Sequence, residues 1–204
     1  MSKRELAIKQ IKELERLGGN MRLAAEHWDK PWKTLISTIM SARSRDETTI
    51  PIADKLFDKY DSAEKLANAD LKDVRRIIKP INFYKTKSKN IVNCAKVLID
   101  KYDGNPPHDF DKLIELPGVG RKTANVFLSE HGRDAIGIDT HASYISQKLG
   151  WTSHNKPENI EEDLKKLFPK NYWRRVNPIL VRFGKTYTSR KKKDGILERV
   201  RRMR

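Results

Sequence analysis

Apolar residues recur at helical spacing along almost the whole chain, and this leaves little room for a sheet. Leu6, Ile8, Ile11, Leu14 and Leu17 predict a helix over Glu5–Leu17, and Gly18-Gly19-Asn20 stops it. A more apolar stretch, Trp32–Met40, predicts a core helix, and Thr48–Tyr60 follows it. Ser62 and Asp70 are placed to cap short helices, and Pro80 ends the second of these. Further helices are predicted over Lys87–Tyr102, Phe110–Leu116, Arg121–His131, Thr140–Leu149, Pro157–Phe168 and Tyr172–Phe183, with a basic helical tail after Arg190. The one strand-like run, Ala135–Ile138, is too short to build a sheet. The expected fold class is therefore all-α, with roughly ten short helices.

Charge narrows the partner. Of 204 residues, 43 are Lys or Arg and 27 are Asp or Glu, a formal net charge of +16. The excess is lopsided: 170–204 alone carries a net +11. A sequence pI near 9.9 is the footprint of a nucleic-acid binder, although a solvated basic tail would leave the same mark. Mean hydropathy is −0.74, yet apolar residues are spread throughout, so the chain is globular rather than disordered. No apolar stretch approaches the ~20 residues of a membrane span, and Met1–Gln10 has no signal-peptide pattern. The expected location is intracellular, in cytoplasm or nucleoid. The single cysteine, Cys94, excludes an internal disulfide, a cysteine zinc site and a four-cysteine cluster. The five histidines lack metal-ligand spacing, so no metal or other cofactor is expected. The four tryptophans are expected to be core anchors.

The most informative stretch is Leu116-Pro117-Gly118-Val119-Gly120-Arg121-Lys122-Thr123-Ala124, which joins two predicted helices. Pro117 limits the first helix, and Gly118 and Gly120 permit the backbone angles of a tight hairpin. Bare backbone N–H groups and the positive end of the next helix would then meet a phosphate at one spot. The expected phosphate contacts are Gly118, Val119, Gly120 and Arg121. An ordinary helix–helix turn is the alternative; the flanking helices, Pro117 and the Arg121-Lys122 pair favour the clamp.

Leu116–Asn125 followed by Ile138-Asp139-Thr140-His141 resembles the helix-hairpin-helix DNA glycosylase superfamily, most closely its endonuclease III branch. The likeness runs from about Trp32 to Gly184. It takes in Ser41-Ala42-Arg43-Ser44-Arg45-Asp46 and the Asn82-Phe83-Tyr84 turn. It implies two helical lobes with DNA in a cleft between them, one over 21–133 and the other joining 1–20 to 134–204. It also implies a lysine nucleophile at Lys122 and a catalytic aspartate at Asp139. Chain reach allows them to meet, because the helix from Arg121 rises about 16 Å. The segment from Gly132 to Asp139 can span up to about 26 Å.

The family activity implied is a glycosylase with abasic-site lyase activity on oxidised pyrimidines in duplex DNA, acting as a monomer. The extruded nucleotide leaves a gap, which Arg43 would fill where relatives often carry glutamine; a plain phosphate contact is the alternative for this residue. His141 either touches a phosphate or packs. Arg190, Lys191, Lys192 and Lys193 would bind the DNA backbone, and truncation before Lys191 is expected to weaken the salt dependence while leaving activity at low salt. Relatives usually end in four cysteines that hold an iron–sulfur cluster. Here 183–193 has none, so a colourless protein active without metal is expected. Two other readings stay open: a mismatch glycosylase acting on thymine or uracil opposite guanine, and a non-catalytic DNA-binding module.

Overall fold

A computed structural model describes residues 1–203, and all regular structure among them is helical. The helices are α1 (Lys3–Leu17), α2 (Pro31–Ser41), α3 (Asp46–Lys59), α4 (Ala63–Ala67), α5 (Leu71–Ile77) and α6 (Tyr84–Tyr102). They continue with α7 (Phe110–Ile114), α8 (Arg121–Glu130), α9 (Thr140–Lys148), α10 (Pro157–Leu167), α11 (Lys170–Thr186) and α12 (Arg190–Arg201). Ser62 and Asp70 cap α4 and α5 as their side chains predict, accepting from Lys65 N and Lys72 N. The strand-like run Ala135–Ile138 forms no strand. It is buried and carries no regular secondary structure.

Some boundaries move for local reasons. Helix α6 starts at Tyr84 rather than Lys87, because Phe83 takes a left-handed conformation (φ 60°) and turns the chain there. Helix α11 begins directly after Pro169 and runs through Pro178 to Thr186. Arg204, the last residue of the expected tail, lies outside the described residues.

The chain divides into two compact units. The central unit, Arg22–His131, holds α2 to α8. Its core helix α2 buries Trp32, Leu35, Ile36, Ile39 and Met40, and packs with α3, α6 and α8. Helix α6 lies against α4 and α5 and buries Ile91, Cys94, Ala95 and Leu98.

The terminal unit joins Met1–Met21 to the chain from Gly132 onward. Helix α1 closes a core made otherwise from the second half of the chain: Ile11 and Leu14 are buried with Ile136, Ile145, Leu164, Leu180 and Phe183. Buried Gln10 fastens three segments, accepting from Trp151 Nε1 at 2.7 Å and donating to Val200 O at 3.2 Å. The basic tail is therefore not a solvated appendage. Helix α12 buries Ile196, Leu197 and Val200 in this core. Truncation before Lys191 would open that core, so it removes stability along with charge.

Trp32 and Trp151 are buried core residues, and the indole N–H groups of Trp28, Trp151 and Trp173 are satisfied. Trp28 donates to Ala24 O at 2.7 Å and Trp173 to Phe168 O at 2.8 Å.

In the central unit Asp73 ties α5 to the end of α3. Its carboxylate accepts from Lys59 (2.7 Å), from the Tyr60 hydroxyl (2.6 Å) and from Arg76. These partners, Lys59 first, hold its pKa down at about 2 from the ordinary 3.8. Burial, followed by the bond to Asp73, pushes the Tyr60 hydroxyl up to about 12. A carboxylate with a depressed folded pKa contributes stability above its unfolded value, and that stability is lost as pH falls through the folded value. Asp73→Asn should lower the melting temperature at pH 7. The gap from wild type should close as melting is repeated from pH 4 down to pH 2.

Candidate active site

The hairpin forms at the expected place, but its two glycines do different work. Gly118 has φ +82°, and a Cβ there would lie 2.9 Å from Asn90 Cβ and 3.2 Å from Ile39 Cγ2. Both the angle and the packing exclude a side chain. Gly120 adopts ordinary extended backbone (φ −100°, ψ 175°), so the expectation that it supplies an unusual angle is corrected. Its contribution is open space: nothing lies within 4 Å of where its Cβ would be. It is also the N-cap of α8, with no side-chain cap hydrogen bond and no acidic residue in the first turn. The positive end of α8 thus keeps N–H donors that no cap consumes, beside an open approach.

Val119 does not face outward. Its side chain is buried, and its N–H donates to Leu116 O at 3.0 Å, so it anchors the turn and has no donor left for a phosphate. Arg121 is exposed, with its guanidinium 4.8 Å from the Phe110 ring centroid. Lys122 is half-buried in the first turn of α8, two residues after the open glycine.

In the terminal unit, Asp139 is the N-cap of α9. Its Oδ1 accepts from Ala142 N at 2.7 Å, which fixes the carboxylate at the positive end of that helix. The segment delivering it is pinned from below. Ile136 and Ile138 are buried in the core, and the Asn177 amide donates to Gly137 O at 2.7 Å. Asn177 was not singled out from the sequence; its signal is an amide just before Pro178 on an otherwise apolar helix face.

His141 lies against α11. A Cβ on Gly184 would come within 2.2 Å of His141 Nδ1, so the glycine is a seat for the ring. Of the two roles open to His141, packing is the one this seat supplies. The cations Arg190, Lys191, Lys192 and Lys193 occupy the first turn of α12, behind the Ser189 cap. The first three are exposed; the Arg190 guanidinium lies 5.7 Å from the Tyr144 ring centroid.

The loop after α2 exposes Arg43 in a left-handed conformation (φ 55°). Its guanidinium sits 5.2 Å from the ring centroid of Phe83, itself 58% exposed. The Asn82-Phe83-Tyr84 turn is visible in the sequence, but nothing there assigns Phe83 a role. Behind the loop lies Lys87, also not singled out, because a lysine on a helix suggests solvent. It is only 6% exposed, and burial pulls its amine down to about 8. Three oxygen acceptors around Nζ work the other way and favour the ammonium form.

No group of three or more His, Cys, Asp or Glu among the described residues could hold a metal ion. The residues do not fit an iron–sulfur cluster: the only cysteine, Cys94, is buried in α6 with its thiol pushed up to about 12 by desolvation. Among the described residues, no helix is long and apolar enough to cross a membrane.

Residues 36–170 match the family described as "HhH-GPD superfamily base excision DNA repair protein". Endonuclease III of Thermotoga maritima is 42% identical over 156 residues, covering 76% of this chain and 73% of that protein. Endonuclease III of Synechocystis is 34% identical over 167 residues, 81% of this chain and 76% of the other. A solved structure of a trapped covalent intermediate between endonuclease III and DNA superposes with a TM-score of 0.83 at 31% identity. It covers 93% of this chain and 89% of its own. The hairpin, the capping aspartate and these matches agree: the chain belongs to the HhH-GPD superfamily of base excision DNA repair proteins, in its endonuclease III branch.

Proposed function

We propose that this protein is a monomeric, bifunctional DNA glycosylase and abasic-site lyase that removes oxidised pyrimidines from duplex DNA. The observation that carries the reading is the start of α8. An uncapped helix N-terminus behind an open glycine suits a DNA phosphate, and Lys122 stands in the same turn. Gly118, Gly120 and Arg121 hold the backbone, and Arg43 fills the gap left by the extruded nucleotide.

The chemistry follows from the residue types. As the base–sugar bond breaks, positive charge develops on the sugar, and the Asp139 carboxylate stabilises it. The neutral Lys122 amine attacks C1′ as the base departs; the adduct's nitrogen loses a proton and the C1′–O4′ bond opens, O4′ leaving as a hydroxyl, to give a Schiff base. Loss of a C2′ proton then expels the 3′ phosphate oxygen and cleaves the strand. A second arm of support is the trapped covalent complex of endonuclease III with DNA, whose existence suits an amine nucleophile in this family.

Asp139→Asn should slow base release by about 10²–10⁴-fold, the usual cost of one electrostatic or acid–base group. Cleavage of a pre-formed abasic site, where no base has to leave, should fall much less. Equal losses on both substrates would contradict the assigned role. A panel of duplexes with single lesions tests the substrate: thymine glycol should be released faster than thymine opposite guanine, and the reverse order would favour a mismatch enzyme.

The first turn of α12 supplies non-specific affinity through charge that can be removed without disturbing the core. Replacing exposed Lys191 and Lys192 by Gln should lower the slope of log K against log salt by up to about 1.8, roughly 0.9 for each phosphate that the variant leaves unneutralised. An unchanged slope would show that these lysines do not meet DNA.

A further inference from the structure

Helix α2 ends without a glycine cap and without a basic residue in its last turn, so its final carbonyls need donors from elsewhere. One buried ammonium supplies them. Lys87, reaching back from α6, donates to Met40 O at 2.7 Å, to Ala42 O at 2.5 Å and to Ser44 Oγ at 3.1 Å. The turn before α6 adds two more bonds to the same loop: Asn82 Nδ2 donates to Arg43 O at 2.7 Å, and Asn82 N donates to Ser44 Oγ at 3.1 Å. Together these donors bracket Arg43 on both sides.

Arg43 and Phe83 both adopt left-handed backbone, a conformation uncommon outside Gly, Asn and Asp. Such conformations persist only where the surroundings over-determine them. Here the surroundings are the Lys87 and Asn82 donors, and the outcome is an exposed Arg43 side chain held over the Phe83 ring.

We propose that Lys87, assisted by Asn82, is a positioning residue that locks residues 40–44 so that Arg43 is presented ready-formed to the gap in the duplex. The proposal rests on the reading of Arg43 as the gap-filling side chain. Its physical content is pre-organisation: a loop already in place does not have to be ordered at the moment the nucleotide leaves the stack. A lysine serves here because one ammonium offers three donors to three acceptors in different directions.

The test uses Lys87→Met, which keeps most of the aliphatic stem and removes the ammonium. The substrates are the lesion released fastest in the panel, in a fully paired duplex, and a pre-formed abasic site in an unpaired loop, where nothing has to leave the stack. Lys87→Met should reduce kcat/KM on the paired duplex by about 10–100-fold, the scale of a small misplacement. It should leave cleavage in the unpaired loop within about twofold of wild type. Added to Arg43→Ala, it should cost little more, because both changes remove one function.

Wild-type behaviour of Lys87→Met on the paired duplex, equal loss on both substrates, or additive losses with Arg43→Ala would each overturn the proposal. If Arg43→Ala slows paired turnover and Lys87→Met does not, the role of Arg43 stands and that of Lys87 falls. If Arg43→Ala is itself silent, the gap-filling reading fails and this proposal fails with it. Should Lys87→Met not fold, Asn82→Ala decides, since its side chain is exposed: it should show the same loss confined to paired DNA, and wild-type kinetics would overturn the latch.

Discussion

The close approach at Gly118 is the constraint on which the proposed chemistry depends. The turn packs so tightly on Asn90 and Ile39 that a single added carbon would stand 2.9 Å from its nearest neighbour. With φ +82° the strain of any side chain adds to the clash. This packing holds the turn between α7 and α8 against Asn90 and Ile39, with Val119 buried beside it. The uncapped start of α8 at Gly120, with Lys122 in its first turn, comes two residues after a position that cannot carry a Cβ.

The same physical device, a helix N-terminus, is used in two opposite ways. Helix α8 is left without a side-chain cap, and its donors suit an external anion. Helix α9 is capped by Asp139 itself, so there the positive end orients a carboxylate of the protein's own. Helix α12 combines a Ser189 cap with four successive cations in its first turn, a placement that the helix dipole disfavours. Stability alone would put those cations at the other end. An apolar face of Ile196, Leu197 and Val200, seated in the terminal core, offsets the cost.

Much of this was legible in the sequence because it rests on local rules. Helical spacing located the elements, Ser62 and Asp70 marked their own caps, and Pro117 with Gly118 marked the hairpin. Long-range packing was not legible. Nothing near Gly120 distinguishes it from Gly118, yet one provides space and the other an angle and a fit. Val119 read as part of a phosphate clamp because its neighbours are glycines, and only the fold shows its N–H already committed to Leu116. Lys87 is surrounded in sequence by other lysines on an amphipathic helix. Its partners are more than 40 residues away, so burial could not be inferred. The basic tail reads by charge as a source of DNA affinity, and the fold also seats its Ile196, Leu197 and Val200 in a core, where Gln10 from the other end of the chain donates to Val200 O.

Lys122 is the proposed nucleophile, and reductive trapping tests this assignment. Borohydride reduces a Schiff base to a stable amine, so wild-type protein incubated with abasic duplex should become covalently attached to DNA, with the attachment mapping to Lys122. Lys122→Gln should bind the same duplex and give no adduct, since the Gly118–Gly120 turn is untouched. Trapping of Lys122→Gln at the wild-type rate, or an adduct mapping to another amine, would contradict the account.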